Sequence, residues 1–370
     1  MSAFVHTWQK AFRIRSHGRH LRHRKTCVDY TTEECAQAFA VWYNAIPKLG
    51  GVRCPSSHNP NIAMHIPHLA ITALFAALTF TTSFTYAANR KSIRIGTYNI
   101  RYEIGDKGTP NAWDSRKSDL VNFLRKLDLD AFGLQEVCPG QASYITNNLP
   151  EYTLVGEHRE ADRISGEASP VLYRKSRFDA IKCGTFWLSE TPDIPGIKGW
   201  GAACPRVCSW MWLRDKNTGK TFCFANAHTD HKSALARKEG MLLIIRRMHE
   251  FAPPGTPIVF TGDHNCTETE EPAVAVSKLL KNALYISETP PTGPWRTFNG
   301  WTWRESESTI DDALKFTLAD RNKDSDAPRI DYIYVSDGVN VKSYETRADT
   351  RPGTRLYPSD HFPIIAEIEP

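Results

Sequence analysis

The sequence is poor in the features that would mark a nucleic-acid-coating, fibrous or membrane-embedded protein. Residues 1–63 hold nine Lys/Arg and three acids, and removing these from the totals of 46 and 41 leaves 37 basic and 38 acidic residues in 64–370, a net of −1. The formal charge of +5 therefore belongs to the front of the chain. The remainder has no basic excess of the kind that bulk nucleic-acid binding requires. No internal repeat or low-complexity linker interrupts 92–370, and nothing suggests collagen, coiled coil or a polytopic membrane protein. Cysteine is sparse after the front segment. Cys204 and Cys208 in "CPRVC" are the nearest pair, open to a disulfide or to free thiols, but no second Cys/His pair with ligand spacing follows to complete a zinc site.

Long apolar runs are scarce too. Residues 64–88 read "MHIPHLAITALFAALTFTTSFTYAA", with a short polar start, an apolar stretch from Leu69 to Phe80, and Thr85 and Ala87 placed like a cleavage site. That order is the order of a secretory signal, although histidines stand where Lys or Arg is usual. The expectation is a signal peptide over 64–87 and a secreted or periplasmic product, with 1–63 an upstream over-extension or a disordered arm. The alternative is a membrane anchor through 67–88, for which the apolar stretch is short against a bilayer core of about 30 Å.

From Ser92 onward short apolar strands alternate with amphipathic helices. Strands are predicted at 93–100, 131–137, 168–175, 221–228, 257–265, 329–336 and 363–369, and helices at 115–128 and 234–251. Strand runs with helices at intervals predict two sheets packed together and covered by helices, a single α/β domain over 92–370.

Polar residues gather where these strands end. Asn99 closes the first, Glu136 the second and His228 a later one. Asp263 and Asn265 end another, Asp331 lies in the penultimate, and Asp360 and His361 in "PSDHFPI" precede the last. Each alone reads as a turn former or a surface charge. Together, Glu136, Asp263 and Asp331 adjoin strongly apolar runs, where an unpaired charge is costly to bury. A hard divalent cation held by carboxylate and amide oxygens is the simplest compensation.

The segments "TYNIR", "LQEV", "VLYRK", "NAHTDH", "TGDHN", "RIDYIYVS" and "PSDHFPI" resemble, in order and spacing, the endonuclease/exonuclease/phosphatase superfamily. The resemblance covers 92–370 and implies a four-layer α/β/β/α sandwich with the active site at one end of the paired sheets. It implies that Glu136, with Asn99 beside it, binds Mg²⁺ (or Mn²⁺), and that Asp360 adds a ligand or holds a second metal. By the same resemblance Asp263 orients or deprotonates the attacking water, Asn265 hydrogen-bonds a phosphate oxygen, Asp331 orients His361 for proton transfer, and His228 donates to the phosphoryl oxygen or leaving group. Tyr173 in "LYRK" is placed near the phosphate, or is a core tyrosine. Two departures stand out: His264 where the family usually has Phe, and Ala227 and Thr229 where Thr and Leu are usual.

The expected partner is a phosphoester substrate: nucleic acid, nucleotide or phospholipid headgroup. The leading expectation is a monomeric phosphodiesterase or nuclease, with a phosphomonoesterase, a sphingomyelinase-like phospholipase and an inactive binding module as alternatives. Asp230, His231 and Arg237, close to His228, are expected to hold a non-scissile phosphate or a ribose hydroxyl. Trp301, in the aromatic and arginine-rich loop 291–306, is expected to stack on substrate or to pack in a small satellite core.

Overall fold

The structure is a computed structural model that describes residues 91–316 and 328–370. The expected extension over 1–63, the signal over 64–87 and the alternative anchor over 67–88 lie outside the described residues. Among the described residues, no helix is long and apolar enough to cross a membrane.

Two six-stranded sheets pack face to face. The first contains β1 (Ile93–Asn99), β2 (Ala131–Gln135), β3 (Tyr152–Val155), β4 (Val171–Arg174), β11 (Asn340–Thr346) and β12 (Ile364–Glu369), in the order β11-β12-β1-β2-β4-β3. The second contains β5 (Phe178–Trp187), β6 (Val207–Asp215), β7 (Thr221–His228), β8 (Ile258–Asp263), β9 (Lys281–Asn282) and β10 (Asp331–Val335), in the order β5-β6-β7-β8-β10-β9. The pairs β1–β2 and β7–β8 run parallel and the other pairings are antiparallel. Helices α1 (Trp113–Leu127) and α2 (Pro139–Asn148) belong with the first sheet, and α3 (Ala234–Phe251) and α4 (Glu271–Ser277) with the second; the short α5 is Ile310–Leu314. Three apolar clusters define the layers. α1 packs through Leu120, Val121 and Leu124 against Tyr98, Phe132 and Leu134, while α3 packs through Met241, Ile244 and Met248 against Trp210, Cys223 and Phe260. The third cluster, with Ile93, Ile95, Phe222, Phe224, Val259 and Ile333, lies between the sheets. This is the helix–sheet–sheet–helix sandwich expected from the sequence.

Side chains alternate across a strand, so every second residue of each central strand faces the inter-sheet layer. Following those inward rows shows where the apolar core stops. β1 reads Ile93, Ile95, Thr97, Asn99; β7 reads Phe222, Phe224, Asn226, His228; β8 reads Val259, Thr261, Asp263. In β2 the inward row is Ala131, Gly133, Gln135, and β10 enters the same layer with Asp331 ahead of Ile333 and Val335. Each row changes from apolar to polar toward the same end of the sandwich.

The first polar layer joins the sheets. Asn226 Nδ2 donates to the carbonyls of Leu134 (2.8 Å) and Pro170 (3.0 Å), while its Oδ1 accepts from Gln135 Nε2 (2.7 Å) and Thr261 Oγ1 (3.1 Å). Gln135 Nε2 also donates to Thr97 Oγ1 at 2.9 Å. Gly133 makes room for this bridge, since a Cβ there would stand 2.1 Å from Asn226 Oδ1. All four bridging residues are fully buried.

Two sequence expectations are adjusted. β2 ends at Gln135 rather than 137 because Glu136 adopts φ +62°, a left-handed conformation incompatible with a strand. Strands β3, β5, β6, β9 and β11 are absent from the sequence reading, and β5 and β6 make two of the six strands of the second sheet. The six described cysteines, Cys204 and Cys208 included, are free thiols.

His264, one residue past Asp263, points away from the inter-sheet layer. Its ring stacks on Phe260 (4.7 Å) and Tyr334 (5.6 Å), is fully buried, and leaves both ring nitrogens without partners. Burial lowers its pKa to about 3, with Asp331 opposing the shift.

Two predictions follow from these interior groups. Asn226→Ala strands buried carbonyls and donors in both sheets and is expected to cost about 2–4 kcal/mol, read as a lower urea midpoint at unchanged m-value. For His264, a folded pKa below the unfolded value means that its neutral form supports folding above about pH 6.5 and that this support fades as pH falls toward 3. His264→Phe, which fills the same aromatic stack without orphaned nitrogens, is expected to show a stability advantage over wild type that widens across that acid window. An advantage independent of pH in paired urea titrations would contradict the assignment.

Candidate active site

The polar ends of the inward rows converge, with the loops around them, on one cavity of about 620 Å³. Glu136, His228, Asp263, Asn265, Asp360 and His361 all line it. Asn99 and Asp331 are buried immediately behind, bonded to its lining residues.

Asn99 organises the floor. Its Nδ2 donates to Glu136 Oε1 and to Asp263 Oδ2, each at 3.0 Å, and its Oδ1 accepts from the Arg101 backbone N–H at 3.0 Å. The sequence expectation made Asn99 a companion metal ligand. Here its carbonyl is turned to Arg101, and its amide nitrogen ties the carboxylate of one sheet to that of the other. Glu136 Oε2 accepts from the Tyr102 backbone N–H at 2.8 Å.

Asp263 and Asp331 sit directly opposite each other on β8 and β10. His361 answers that paired negative charge: its Nδ1 lies 2.9 Å from Asp331 Oδ2 and its Nε2 lies 3.7 Å from Asp263 Oδ2. Burial would discharge this imidazole, but Asp331, Asp263 and Asp360 outweigh burial and raise its pKa to about 10, so the ring is an imidazolium at neutral pH. Burial, reinforced by Asp331, pushes the Asp263 carboxyl up to about 7, with His361 and hydrogen bonds from Asn265 and Asn99 opposing. Asp263 is thereby poised near neutrality, where a general base is most effective.

His228 is held in the opposite state. Asn265 Nδ2 donates to the Thr229 carbonyl at 3.0 Å and to His228 Nε2 at 2.8 Å, which makes that ring nitrogen an acceptor. Burial, with Arg206 and His361 nearby, holds the His228 pKa well below its usual value, so the ring is neutral. Two histidines of one cavity therefore carry different charges.

The loop around "RTFNGW" acts as scaffold. Thr297 Oγ1 accepts from the backbone N–H groups of Ile330 (2.9 Å) and Asp331 (3.1 Å), and the N–H groups of Asn299 and Gly300 donate to the Asp360 carbonyl at 2.7 and 3.1 Å. Phe298 packs edge-on to His361, with centroids 5.1 Å apart. On the other side, fully buried Arg116 donates to the carbonyls of Ile100, Arg101 and Pro358. Arg101, Glu136 and Asn265, all lining the cavity, adopt positive φ of 58°, 62° and 49°, a backbone cost concentrated where side chains must be aimed.

The expected substrate-contact residues fare differently. His231 is exposed and lines the cavity. Asp230 is engaged internally, its carboxylate accepting the N–H groups of Ala203, Lys232 and Ser233 at 2.8–3.0 Å. Arg237 is buried and donates to the Asp230 carbonyl and Glu270, outside the cavity lining. Tyr173 packs against the inter-sheet core, and Trp301 lies with its ring 5.5 Å from the Arg116 guanidinium; neither lines the cavity. The structure instead brings in Arg101, Arg159, Glu167 and Arg206. Arg101 lies inside "TYNIR" and Arg206 inside "CPRVC", a segment examined for its cysteines; Arg159 and Glu167 carry no sequence signal. The supporting Asn226 had one, an amide in a row whose period calls for an apolar residue.

A hard divalent cation fits this donor set. Carboxylates of Glu136, Asp263 and Asp360 line the cavity, Asp331 is buried behind it, and one buried oxygen of Asp331 has no partner.

Comparison with known proteins agrees with this geometry. Residues 96–361 match the Endonuclease/Exonuclease/phosphatase family. An endonuclease/exonuclease/phosphatase from Bacteroides vulgatus is 32% identical with a TM-score of 0.65, over 76% of this chain and 99% of that one. A mannosyl-6-phosphatase from Bacteroides thetaiotaomicron is 34% identical with a TM-score of 0.65, over 75% of this chain and 99% of that one. Nocturnin of Drosophila melanogaster is 24% identical over 285 residues, 70% of this chain, and the match spans 42% of that relative's length. By the extent of the match and the shared sandwich, the chain belongs to the endonuclease/exonuclease/phosphatase family.

Proposed function

We propose that the protein is a divalent-metal-dependent phosphoric-ester hydrolase acting on a small, polar phosphomonoester. The observation that carries the monoester reading is the cavity itself. At about 620 Å³ it has the volume of a small-ligand site, and its lining mixes guanidinium and carboxylate groups, with Arg159 Nη1 2.8 Å from Glu167 Oε2. Such a wall matches the donors and acceptors of a hydroxyl-rich molecule better than the continuous positive track a polynucleotide backbone requires. The likeness to a mannosyl-6-phosphatase supports the same substrate class. The near-neutral charge of 64–370 also argues against the nuclease expectation, since a polynucleotide backbone is held by basic excess.

In this reading Glu136 and Asp360 would hold Mg²⁺ or Mn²⁺, which supplies charge neutralisation at the phosphoryl oxygens. Asp263 orients the attacking water and takes its proton. Asp331 holds His361 in orientation through Nδ1, leaving the Nε2–H of the imidazolium to stabilise the phosphoryl group or protonate the departing oxygen. Asn265 spends both Nδ2 hydrogens on His228 Nε2 and the Thr229 carbonyl, so in this reading it positions His228 rather than donating to a phosphoryl oxygen.

Two measurements test this. Hydrolysis of p-nitrophenyl phosphate beside bis(p-nitrophenyl) phosphate, with Mg²⁺ and with EDTA, is expected to show EDTA-sensitive release favouring the monoester; preference for the diester would return the assignment to the phosphodiesterase branch. Glu136→Ala and Asp331→Asn are each expected to lower kcat/KM by about 10²-fold or more while far-UV circular dichroism is retained. Full activity in either variant would remove that residue from the mechanism.

A further inference from the structure

Six arginines are deeply buried among the described residues, and five have their guanidinium engaged by carbonyls, a hydroxyl or a carboxylate. Arg116 donates to four carbonyls, and Arg177 to both oxygens of Asp215 at 2.8 and 3.0 Å. Arg237 reaches the Asp230 carbonyl and Glu270, Arg296 reaches two carbonyls and Glu307, and Arg329 reaches the Trp295 carbonyl and the Tyr344 hydroxyl. Arg206 is the exception. It is 6% exposed, lines the cavity, and makes one hydrogen bond, from Nη2 to His231 Nδ1 at 3.0 Å. Its Nε is buried without a partner, as are those of Arg237, Arg296 and Arg329, so what sets Arg206 apart is that its only hydrogen bond goes to a histidine at the cavity. The nearest carboxylate, Asp230, stands 3.9 Å from Nε, and its oxygens are already occupied by three backbone N–H groups.

A buried guanidinium short of partners is costly, and its planar fork is shaped for two oxygens of an oxyanion. Cys204, Asp230 and His231 bring ligand atoms within 4.8 Å of one another, which taken alone would suit a soft metal. Arg206 donating to His231 Nδ1 places a fixed positive charge against two of those three groups, so the corner favours an anion over a cation.

Its position relative to the hydrolytic cluster follows from sheet register. Arg206 directly precedes β6; Cys208 on β6 pairs with Ala227 on β7, and His228 pairs with Asp263 on β8. Strands lie about 4.8 Å apart, so Arg206 stands two strands, about 10 Å in backbone terms, from Asp263, with His228 between. A single phosphoryl group attacked at Asp263 leaves that distance to be spanned by the rest of the substrate.

We infer that Arg206, with His231, forms a second anion subsite, and that the preferred substrate is a small phosphoester whose leaving group carries another oxyanion, a phosphate or a carboxylate. The hydrolytic half of this statement rests on the proposed function above; the subsite itself does not. Arg206 here is a binding and specificity residue.

Inorganic phosphate titrated calorimetrically into the full chain in EDTA tests the subsite without turnover. Arg206→Gln is expected to weaken binding by about tenfold or more, as loss of a charge-assisted bidentate contact does. An unchanged isotherm overturns the inference. Should that variant fail to fold, the wild-type melting temperature decides: phosphate is expected to raise it over chloride at matched ionic strength, and no difference overturns the subsite. With Mg²⁺, phosphate release from fructose 1,6-bisphosphate and from gluconate 6-phosphate is compared with mannose 6-phosphate. Wild type is expected to favour one of the doubly anionic substrates by about tenfold in kcat/KM, the favoured one identifying phosphate or carboxylate, and Arg206→Gln to lose that preference. A preference that survives in Arg206→Gln, or no preference in wild type, overturns the inference. Arg206-dependent phosphate binding with no Mg²⁺-dependent hydrolysis of any phosphoester would refute the proposed function and leave the anion subsite standing.

Discussion

The site depends on the hydrogen-bonded bridge that Asn226 makes between the two sheets. A sandwich of this kind is held by apolar side chains in its middle, and an apolar layer tolerates small sliding of one sheet over the other. Directional bonds do not. Asn226 bonds to Leu134 and Pro170 of one sheet side and to Thr261 of its own, while Gln135 reaches from the first sheet to Asn226. The residues that would do chemistry stand one step farther along the same rows: Asn99 two after Thr97, His228 two after Asn226, Asp263 two after Thr261, and Glu136 directly after Gln135. The bridge thus sets the distance between Glu136 on one sheet and Asp263 on the other, and Asn99 joins the two carboxylates in the layer above.

That layering also accounts for the electrostatics. The lower layer is neutral amides and hydroxyls bonded to one another without charge, with Gln135 Oε1 the one side-chain oxygen of the four left without a partner. Charge begins only at the cavity, where Asp263, Asp331, Asp360 and Glu136 are concentrated against the imidazolium of His361. The same burial has opposite results for the two histidines because of what faces them. His361 bonds Asp331 and stays charged among Asp331, Asp263 and Asp360, whereas His228, although its Nε2 lies 3.4 Å from Asp263 Oδ2, is held neutral by burial with Arg206 and His361 nearby. One residue type is thus held in two charge states by its surroundings alone.

Much of this was readable from the chain. Strand and helix periods predicted β7 and α3 at their observed limits, and polar residues at strand ends picked out His228, Asp263, Asn265, Asp360 and His361, which do line one cavity. Where the sequence reading went astray, the reason is local. Asp230 and Arg237 look like ligand-binding groups in a linear string, but the turn after β7 consumes the Asp230 carboxylate in capping the chain before α3. Tyr173, chosen from "LYRK", and Trp301, chosen from an aromatic loop, are half-buried against the inter-sheet core and beside Arg116, the packing alternatives the sequence also offered.

The sequence by itself determined the sandwich class, the rows that turn polar at one end, and the identity of the charged cluster, because alternation along a strand and the cost of burying polar groups are properties of adjacent residues. Only the tertiary structure decided which arginines reach the cavity, which way the Asn99 amide faces, and which histidine carries a proton. Those depend on groups far apart in the chain, such as Arg206 beside His231 or Asp331 against His361, and electrostatic interactions act through space and dielectric rather than along the sequence.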